Sequence, residues 1–500
     1  MADSTQDQTG QGARDTGLDP FASATAMLHA LRQRKISSVE LLDLHLRRIA
    51  RYNPALNAIV TPNYENARHV AAEADEARAR GEERPLLGLP LTIKDCIYVK
   101  GLPTTGGLKE RAEAISEEDA RLAARVRAAG AVLLGKTNVP PYAADWQSSN
   151  LLFGRSNNPW DRTRTPGGST GGGAAAVAAG LTPLEFGGDF AGSIRIPAAF
   201  CGIYGHKSSE TALPRTGHFP GPPTTPNAAF AMAVQGPLAR SAEDLELAFD
   251  VIAGPDVGED TAWQLHMPPA RHERLSDYRV AVLPPISWLP VDNEIREALE
   301  GLADTLRKAG AKVAETQPEM FGDLRDYYKL YRSLLAALSY VGVPEAERRQ
   351  QAEEARKGAD EFGIAWADGI TASASDYVMW HGRREGYRAS YRAFFREWDV
   401  LLAPANIVPA FPHTDAPWPE RRLDVNGQQV DYGLQSAYPS LCNMTGQPGT
   451  AFPIGLTRGG LPIGIQAIGP YLEDRTPMRF AALVAQEFGG FRRPPGYEES

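Results

Sequence analysis

The sequence predicts an α/β protein with a partly parallel sheet. Short apolar runs, which are typical of buried strands, alternate along the chain with longer stretches whose apolar residues recur at helical spacing. Of the 500 residues, 43% are hydrophobic and 23% are charged, as in average soluble proteins, so the chain can bury a large core. Because we find no linker-like segment that would divide the chain, we expect one large unit.

The first half of the chain is predicted to begin with a helical region, which four further helices and strands follow. Ser37 and Ser38 are candidate N-cap residues of a helix. The apolar stripe of this helix consists of Val39, Leu42, Leu46 and Ile49. The alternation continues with a helix over residues 63–80, a strand over 89–93, a helix over 118–129 and a strand over 131–134.

In the second half, a long helical region interrupts the alternation. The elements predicted there are a helix over residues 241–253, a strand over 279–283, a helix over 293–309 and strands over 400–402 and 463–466. Residues 320–397 are charged, rich in Tyr and Arg, and helical in pattern, which predicts an insert beside the sheet. The wider region from about residue 320 to 450 is expected to decide the substrate. Its aromatic residues, which form either core or the wall of a site for an aryl substrate, include Tyr377, Trp380, Tyr387, Tyr391 and Trp398.

Composition disfavours several classes of function. A net charge of −9 argues against a nucleic-acid-binding protein, which needs clustered Lys and Arg. Cys96, Cys201 and Cys442 have neither metal-site nor disulfide spacing, so we expect small buried side chains in a reducing compartment. Residues 1–20 are polar without an apolar run, which predicts a disordered tail, no signal peptide and a cytoplasmic protein that does not bind membranes.

Two glycine-rich loops each present one serine. Ser169 lies within residues 166–173, and Ser193 lies within residues 187–193. Glycine lets a substrate approach the main chain closely, at an entropic cost that a purely structural loop would rarely incur twice in so short a stretch. Hydroxyl groups beside bare backbone N–H groups are typical of acyl transfer, and these loops therefore predict that chemistry.

A competing motif is formed by residues 130–137, which match the P-loop pattern letter by letter. The four residues between its glycines form an apolar strand in this prediction, whereas a P-loop needs a flexible turn around phosphate. Pro140 and Pro141 follow closely and disfavour the early helix that a P-loop requires. We therefore expect no nucleotide binding through this segment.

Residues 167–171 also match the G-x-S-x-G nucleophile elbow, which requires a preceding strand and a downstream histidine. Residues 158–166 are predicted to be a loop, and His206, the nearest histidine, is expected to be a structural hydrogen-bonding residue. A serine can instead be activated by a lysine that desolvation keeps neutral. Lys94, at the end of the apolar run 89–93, is the candidate, although its ammonium could also reach solvent over a buried stem.

Several motifs together resemble the amidase signature family. They are residues 88–95, 135–138, 165–180, 187–207, 236–244 and 460–466, of which 193–202 are particularly characteristic. They span nearly the whole chain after the tail. The resemblance implies a single large domain over residues 21–500, with its core motifs in 88–207 and the helical insert (about 320–397) near the substrate pocket. In that fold a mixed, largely central sheet is covered by helices on both faces.

The resemblance also implies a Ser, cis-Ser, Lys triad that hydrolyses amide bonds through an acyl-enzyme. Ser193 is then the nucleophile, Ser169 after a cis peptide bond from Gly168 is the bridging serine, and Lys94 is the base. The implied oxyanion hole consists of the backbone N–H groups of Phe190, Ala191, Gly192 and Ser193. The residues implied to contact substrate are Ala143, Ser169 and Phe190.

Around the second loop the chain departs from the family pattern. Phe190 and Ala191 stand where Ile or Thr and then Gly are commoner, so we expect Phe190 to narrow or reshape the pocket. Thr170 replaces a usual serine, and this change removes no proton-carrying group of the triad. Asp189 and Arg195 flank the nucleophile, and we expect them to hold its loop by charge-assisted hydrogen bonds.

The resulting prediction is an amide-bond hydrolase without metal or cofactor, acting as a monomer or homodimer on a small-molecule amide. An aryl amide or a carbamate is the favoured substrate, with esters as a side activity. The alternative is a glutaminase-type subunit of an amidotransferase. The resemblance implies Gln at the position of Ile196 and Gly at that of Ala191 in such a subunit, so both residues favour a stand-alone enzyme.

Overall fold

The centre of the molecule is a mixed sheet of eleven strands, in a computed structural model that describes residues 17–221 and 231–498. The strands of these ranges are β1 (Ile59–Pro62), β2 (Pro90–Lys94), β3 (Val132–Thr137), β4 (Ser149–Asn150), β5 (Gly154–Arg155), β6 (Leu184–Asp189), β7 (Tyr204–Lys207), β8 (Val234–Ala239), β9 (Arg279–Val282), β10 (Lys312–Glu315), β11 (Val400–Pro404), β12 (Arg422–Val425), β13 (Gln428–Asp431), β14 (Gly449–Leu456) and β15 (Pro462–Ile468). The central order is β1-β3-β2-β6-β8-β7-β14-β15-β11-β9-β10, while β4 pairs with β5 and β12 with β13.

Helices of the same described ranges surround this sheet. They are α1 (Ala24–Arg32), α2 (Ser38–Leu56), α3 (Tyr64–Ala79), α4 (Arg121–Ala128), α5 (Gly171–Ala178), α6 (Arg195–Cys201), α7 (Ala242–Ile252), α8 (Asn293–Lys308), α9 (Arg325–Ser339), α10 (Glu345–Arg356), α11 (Glu361–Ile370), α12 (Ala374–Glu397), α13 (Ala437–Asn443) and α14 (Arg475–Phe488). Every strand and helix predicted from the pattern therefore has a counterpart within a few residues of its expected bounds.

Helices pack on both faces of the sheet, and neighbouring residues of one strand demonstrate it. Leu238 of β8 packs with apolar residues of α5 and α6, whereas the next residue, Ala239, packs with residues of α7. In β14, Ala451 likewise belongs to the apolar cluster with α5 and α6, and the next residue, Phe452, belongs to the cluster with α7. Because successive side chains of a strand point to opposite faces, the sheet is buried on both sides. The predicted α/β class with a mixed central sheet is thus confirmed.

Three parallel strands bring the sequence motifs to one edge of the sheet. β2 lies between β3 and β6 and is parallel to both. Carboxyl ends of parallel strands lie at the same edge, so Lys94, Thr137 and Asp189, the last residues of these strands, lie close together. The neighbouring strand β8 is antiparallel to β6 and completes the middle of the sheet.

The ends of some helices and strands differ from the predicted bounds. Ser37 is the N-cap of α2, with a capping box that includes Glu40, so of the two candidate serines Ser37 caps the helix. α4 begins at Arg121 rather than at residue 118, because the carboxylate of Asp119 accepts the backbone N–H of Lys100 at 2.7 Å. The strand predicted to end at residue 134 continues to Thr137.

The predicted insert consists of the four helices α9 to α12, which pack on one another through the pairs α9–α11, α10–α11 and α9–α12. Of the aromatic residues in and directly after the insert, Tyr387 and Tyr391 are buried in an apolar cluster, and Tyr377, Trp380 and Trp398 pack against it while partly exposed. The predicted core interpretation therefore holds for Tyr387 and Tyr391. Across the described residues, no helix has both the length and the apolarity of a membrane span.

The predicted tail, residues 1–20, lies mostly outside the described residues. At its end, Asp19 forms an ion pair with Arg493, and the carbonyl of Pro20 accepts a hydrogen bond from Arg240 at 3.3 Å. These last residues of the predicted tail are therefore joined to the domain. The three cysteines are buried free thiols, as their isolated positions predicted.

Candidate active site

Lys94 is a buried lysine at the carboxyl end of β2. Strands on both sides leave its side chain 1% exposed. Its Nζ lies 2.7 Å from Oγ of Ser169 and 3.3 Å from the carbonyl oxygen of Gly188. None of the ion pairs among the described residues includes Lys94. Burial lowers the pKa of this amine, since a charged group loses its hydration there. A lysine in this setting can accept a proton from a neighbouring hydroxyl group.

Lys136 shows the opposite arrangement one strand away. It is 0% exposed, but its Nζ pairs with the carboxylate of Asp95 at 2.8 Å and donates to Pro103 O and Thr104 Oγ1. The P-loop-like residues 130–137 lead into and form β3, and no α-helix begins at the lysine. Since its amine is occupied by protein oxygens, this segment is not built to hold phosphate.

Ser169 lies in the first glycine-rich loop, directly after a cis peptide bond from Gly168. The Gly168 position has no room for a side chain, because a Cβ atom there would lie 2.3 Å from the carbonyl oxygen of Asp145. Residues 158–166 form no strand, and α5 begins at Gly171. The strand-to-helix geometry of a nucleophile elbow is therefore not present at Ser169.

His206 does not serve either loop. Its Nδ1 lies 2.9 Å from Thr450 Oγ1 and its Nε2 lies 3.0 Å from Asp474 Oδ1, with the ring fully buried. Both ring nitrogens are thus used in hydrogen bonds within the core. The structural role predicted for His206 is the one observed, and the group that contacts Ser169 Oγ is Lys94.

The second glycine-rich loop joins β6 to α6 and is held by a buried ion pair. Arg195 donates to both carboxylate oxygens of Asp189 at 3.0 Å. Asp189 also accepts the backbone N–H groups of Gly192 at 2.9 Å and Ile194 at 3.2 Å. Burial alone would raise the pKa of Asp189, but the Arg195 guanidinium and these donors hold it below its usual range. The predicted supporting contacts are therefore present.

A backbone hydrogen bond places the two loops side by side. The N–H of Thr170 donates to the carbonyl of Ser193 at 3.1 Å. Ser193 is 7% exposed, whereas Ser169 is 1% exposed, so Ser193 is the more accessible of the two. Among the described residues, Ser193 Oγ has no hydrogen-bond partner, which leaves this hydroxyl free to attack a substrate.

The N–H groups of the second loop are not equivalent. The N–H of Gly192 donates to Asp189 Oδ1, so this group is already engaged within the protein, and its contact with an oxyanion stays a prediction. The N–H groups of Phe190, Ala191 and Ser193 have no hydrogen-bond partner among the described residues, and their contact with an oxyanion also stays a prediction. The positive φ of the loop, +90°, occurs at Gly192, and Ala191 is not among the described residues with a positive φ. The alanine is therefore accommodated there without backbone strain.

The side chains expected near the substrate lie around this loop. Phe190 and Ala191 are partly exposed and pack against the apolar cluster that also contains the aromatic residues of the insert. Ala143 is also partly exposed, two residues before Asp145, whose carbonyl lies against Gly168. These residues thus border the serine loops, and their contact with substrate stays a prediction.

Sequence reasoning missed Glu185, a carboxylic acid in the middle of this site. It is fully buried on β6, in register with Thr92 of β2, and its Oε1 accepts a hydrogen bond from Thr137 at 2.6 Å. Burial raises its pKa to about 8. The available signal was an acidic residue inside the apolar run that leads into the second loop, between Leu184 and Phe186.

Comparison with known proteins places this geometry in a family. A family model described as Amidase matches residues 40–477. The chain belongs to the amidase family. The resemblance predicted from the sequence motifs is therefore confirmed. Membership of this family assigns the chain to the hydrolases that act on C–N bonds.

Relatives of this amidase have several activities. It is 34% identical to a glutamyl-tRNA(Gln) amidotransferase subunit from Azoarcus sp. (strain BH72), over 91% of this chain and 95% of the relative. A solved 6-aminohexanoate cyclic dimer hydrolase is 28% identical, with a TM-score of 0.78, over 96% of this chain and 99% of that one. A bacterial aryl acylamidase of the amidase signature family is 25% identical, with a TM-score of 0.77, over 93% and 96%.

Proposed function

We propose that this amidase hydrolyses amide bonds with Ser193 as nucleophile, Ser169 as bridging serine and Lys94 as base. The observation that carries the proposal is the 2.7 Å contact between Lys94 Nζ and Ser169 Oγ, at a lysine that forms no ion pair with any of the described residues. Burial lowers the pKa of both Lys94 and Lys136, but the carboxylate of Asp95 opposes that shift at Lys136. A buried amine without such an ion pair releases its proton more readily.

The proposed reaction proceeds in two halves. Neutral Lys94 accepts the proton of Ser169, which accepts that of Ser193 as Ser193 Oγ bonds to the carbonyl carbon. The tetrahedral oxyanion then collapses, the C–N bond breaks, and the relay returns the proton to the leaving amine. Water attacks the acyl-enzyme through the same relay, which releases the acid and restores the Ser193 hydroxyl group.

This mechanism predicts a definite pH dependence. Catalysis needs Lys94 without its proton, so kcat/KM should rise with pH, and because burial lowers the pKa of Lys94, the midpoint should lie below the ordinary lysine value of about 10.4. Initial rates from about pH 5 to about pH 11 measure the midpoint. Glu185→Gln is the control, because burial raises the pKa of Glu185 to about 8, within the range of the assay, and the rising limb should persist in that variant. A midpoint at the ordinary lysine value would contradict the relay.

The side chains near Ser193 favour a small apolar amide, and we propose an aryl amide or a carbamate. Phe190 stands partly exposed in the second glycine-rich loop (residues 187–193), here called the oxyanion loop, against an aromatic-rich cluster. Ile196 is fully buried, and a Cβ atom on Gly192 would lie 2.8 Å from its Cδ1. An aliphatic group at that position offers no hydrogen bond to a polar substrate such as glutamine, which would need polar partners in the site.

A glutaminase-type subunit remains the second candidate, because the relative from Azoarcus carries the name of an amidotransferase subunit. Hydrolysis of a panel of anilides, aliphatic amides, carbamates, esters and glutamine by the purified chain separates the two. We expect anilides or carbamates to be the best substrates without any added protein. Acetamide turned over as fast as an anilide would contradict the aryl preference, and activity on glutamine that depends on co-purified subunits would establish the second candidate.

Size-exclusion chromatography of the active fraction tests the proposed monomer or homodimer.

A further inference from the structure

A side chain of the helical insert reaches the oxyanion loop. Tyr331 of α9 is fully buried, and its hydroxyl group donates to the carbonyl oxygen of Phe190 at 3.2 Å. Burial raises the pKa of Tyr331 well above its ordinary value, so the hydroxyl group remains a donor throughout the neutral range. The insert is therefore hydrogen-bonded to the main chain beside Ser193.

The direction of one N–H group depends on this bond. The C=O and N–H groups of a planar trans peptide point in opposite directions, so a donor that holds the Phe190 carbonyl also orients the Ala191 N–H. The next peptide is held at both ends, since Trp146 Nε1 donates to Ala191 O at 2.9 Å and the Gly192 N–H donates to Asp189. Of these two peptides, only the first has an N–H group, that of Ala191, without a hydrogen-bond partner among the residues that the structure describes.

We infer that Tyr331 is a positioning residue that directs the Ala191 N–H toward the oxyanion of the reacting amide. The inference rests on the proposed function, in which Ser193 attacks the carbonyl. A preorganised donor stabilises the charge that develops in the transition state without reorganisation at that moment. The helical insert thereby contributes to catalysis through the main chain of the loop, in addition to any contact that it has with substrate.

Tyr328 provides a matched control on the same helix. Its ring stacks on that of Tyr331, with centroids 6.0 Å apart, and it is 2% exposed. Its hydroxyl group donates to Gly433 O at 2.8 Å and lies 2.8 Å from Ser436 Oγ, away from the oxyanion loop. Tyr331→Phe and Tyr328→Phe each remove one buried hydroxyl group and keep the ring contacts, so both variants should fold.

The experiment compares these two variants in two assays. The first is the rate at which an alkyl fluorophosphonate labels Ser193, followed by intact mass; Ser193 Oγ bonds to phosphorus, fluoride leaves, and the serine proton passes to Lys94 through Ser169. The second is kcat and KM on the best substrate of the panel. We expect Tyr331→Phe to lower the labelling rate and kcat by about 10- to 100-fold, with KM changed by less than about threefold. Tyr328→Phe should stay within about threefold of the wild type in both assays.

Two results would overturn the inference. One is equal labelling rates for Tyr331→Phe and Tyr328→Phe, and the other is a loss confined to KM. A general loss of structure would affect both variants and would appear in their urea unfolding midpoints. Labelling of a residue other than Ser193, or hydrolysis by Ser193→Ala at the wild-type rate, would instead reject the proposed function. Neither of these results is the one that would overturn the Tyr331 inference, so the two failures can be told apart.

Discussion

Ser193→Ala is expected to lower kcat by about 10⁴- to 10⁶-fold on any amide that the wild type hydrolyses. The substitution removes the protein atom that bonds to the substrate carbonyl in the proposed reaction, while the backbone N–H groups of the loop are retained. Substrate binding should change little, because the alanine leaves the pocket walls in place. The measurement is kcat and KM of purified wild type and variant, with labelling by the fluorophosphonate as a second readout.

Ser333→Ala is the control for this prediction. Ser333 is also 7% exposed, and its hydroxyl group donates to Ala365 O within the insert at 2.9 Å, so the substitution is matched in burial. Its kcat should remain within about twofold of the wild type, and its unfolding free energy should fall by about 1 kcal/mol through the lost hydrogen bond. Hydrolysis at the wild-type rate by Ser193→Ala would mean that another residue is the nucleophile.

Lys94→Met is expected to remove activity with only a modest loss of stability, by a factor in kcat comparable to that of the nucleophile variant, about 10⁴-fold or more. Methionine fills a similar volume, but it leaves Ser169 Oγ and Gly188 O without the hydrogen bonds that Lys94 donates. The free energy of unfolding should therefore fall by about 1–2 kcal/mol. Urea denaturation and kcat on the same preparations provide both measurements.

Lys136→Met should lower the free energy of unfolding more than Lys94→Met does. This lysine is ion-paired with Asp95, and its loss leaves a buried carboxylate without its cation, which costs about 3–5 kcal/mol in the free energy of unfolding. The two lysines are both fully buried on adjacent strands, so the comparison isolates the effect of the carboxylate partner. Equal destabilisation by both substitutions would show that Lys94 is charged and paired in the folded protein, and the relay would then lose its base.

Much of the fold follows from local patterns. Ser37 was predicted as an N-cap from its place before an apolar stripe, and it caps α2 because capping needs only residues within one turn. The strand that ends at Lys94 was predicted from an apolar run, since a parallel strand buried on both faces needs apolar residues throughout. The longer β3 was missed because Lys136 and Thr137 are polar, and their burial depends on Asp95 and Glu185 from elsewhere in the chain.

Some residues of the candidate site could be predicted from the sequence and others could not. The two serines and Lys94 could be selected because glycine-rich loops and a lysine after an apolar run are visible in the sequence. Glu185 was not selected, since a single acidic residue in a strand has no pattern of its own. The engagement of the Gly192 N–H by Asp189 was also missed, because the choice among four adjacent N–H groups depends on where one carboxylate lies.

The sequence by itself determined the α/β class, the family motifs and the candidates for the residues that carry protons, because these are properties of short segments and of their order. Among the described residues, only the tertiary structure decided which lysine is paired, which N–H groups are engaged and which insert side chain contacts the second glycine-rich loop. Each of those outcomes is a contact between residues far apart in the chain; Tyr331 and Phe190, for example, are separated by 141 positions. Hydrogen bonds at such separations leave no periodic signal, since they require only one donor at one point in space.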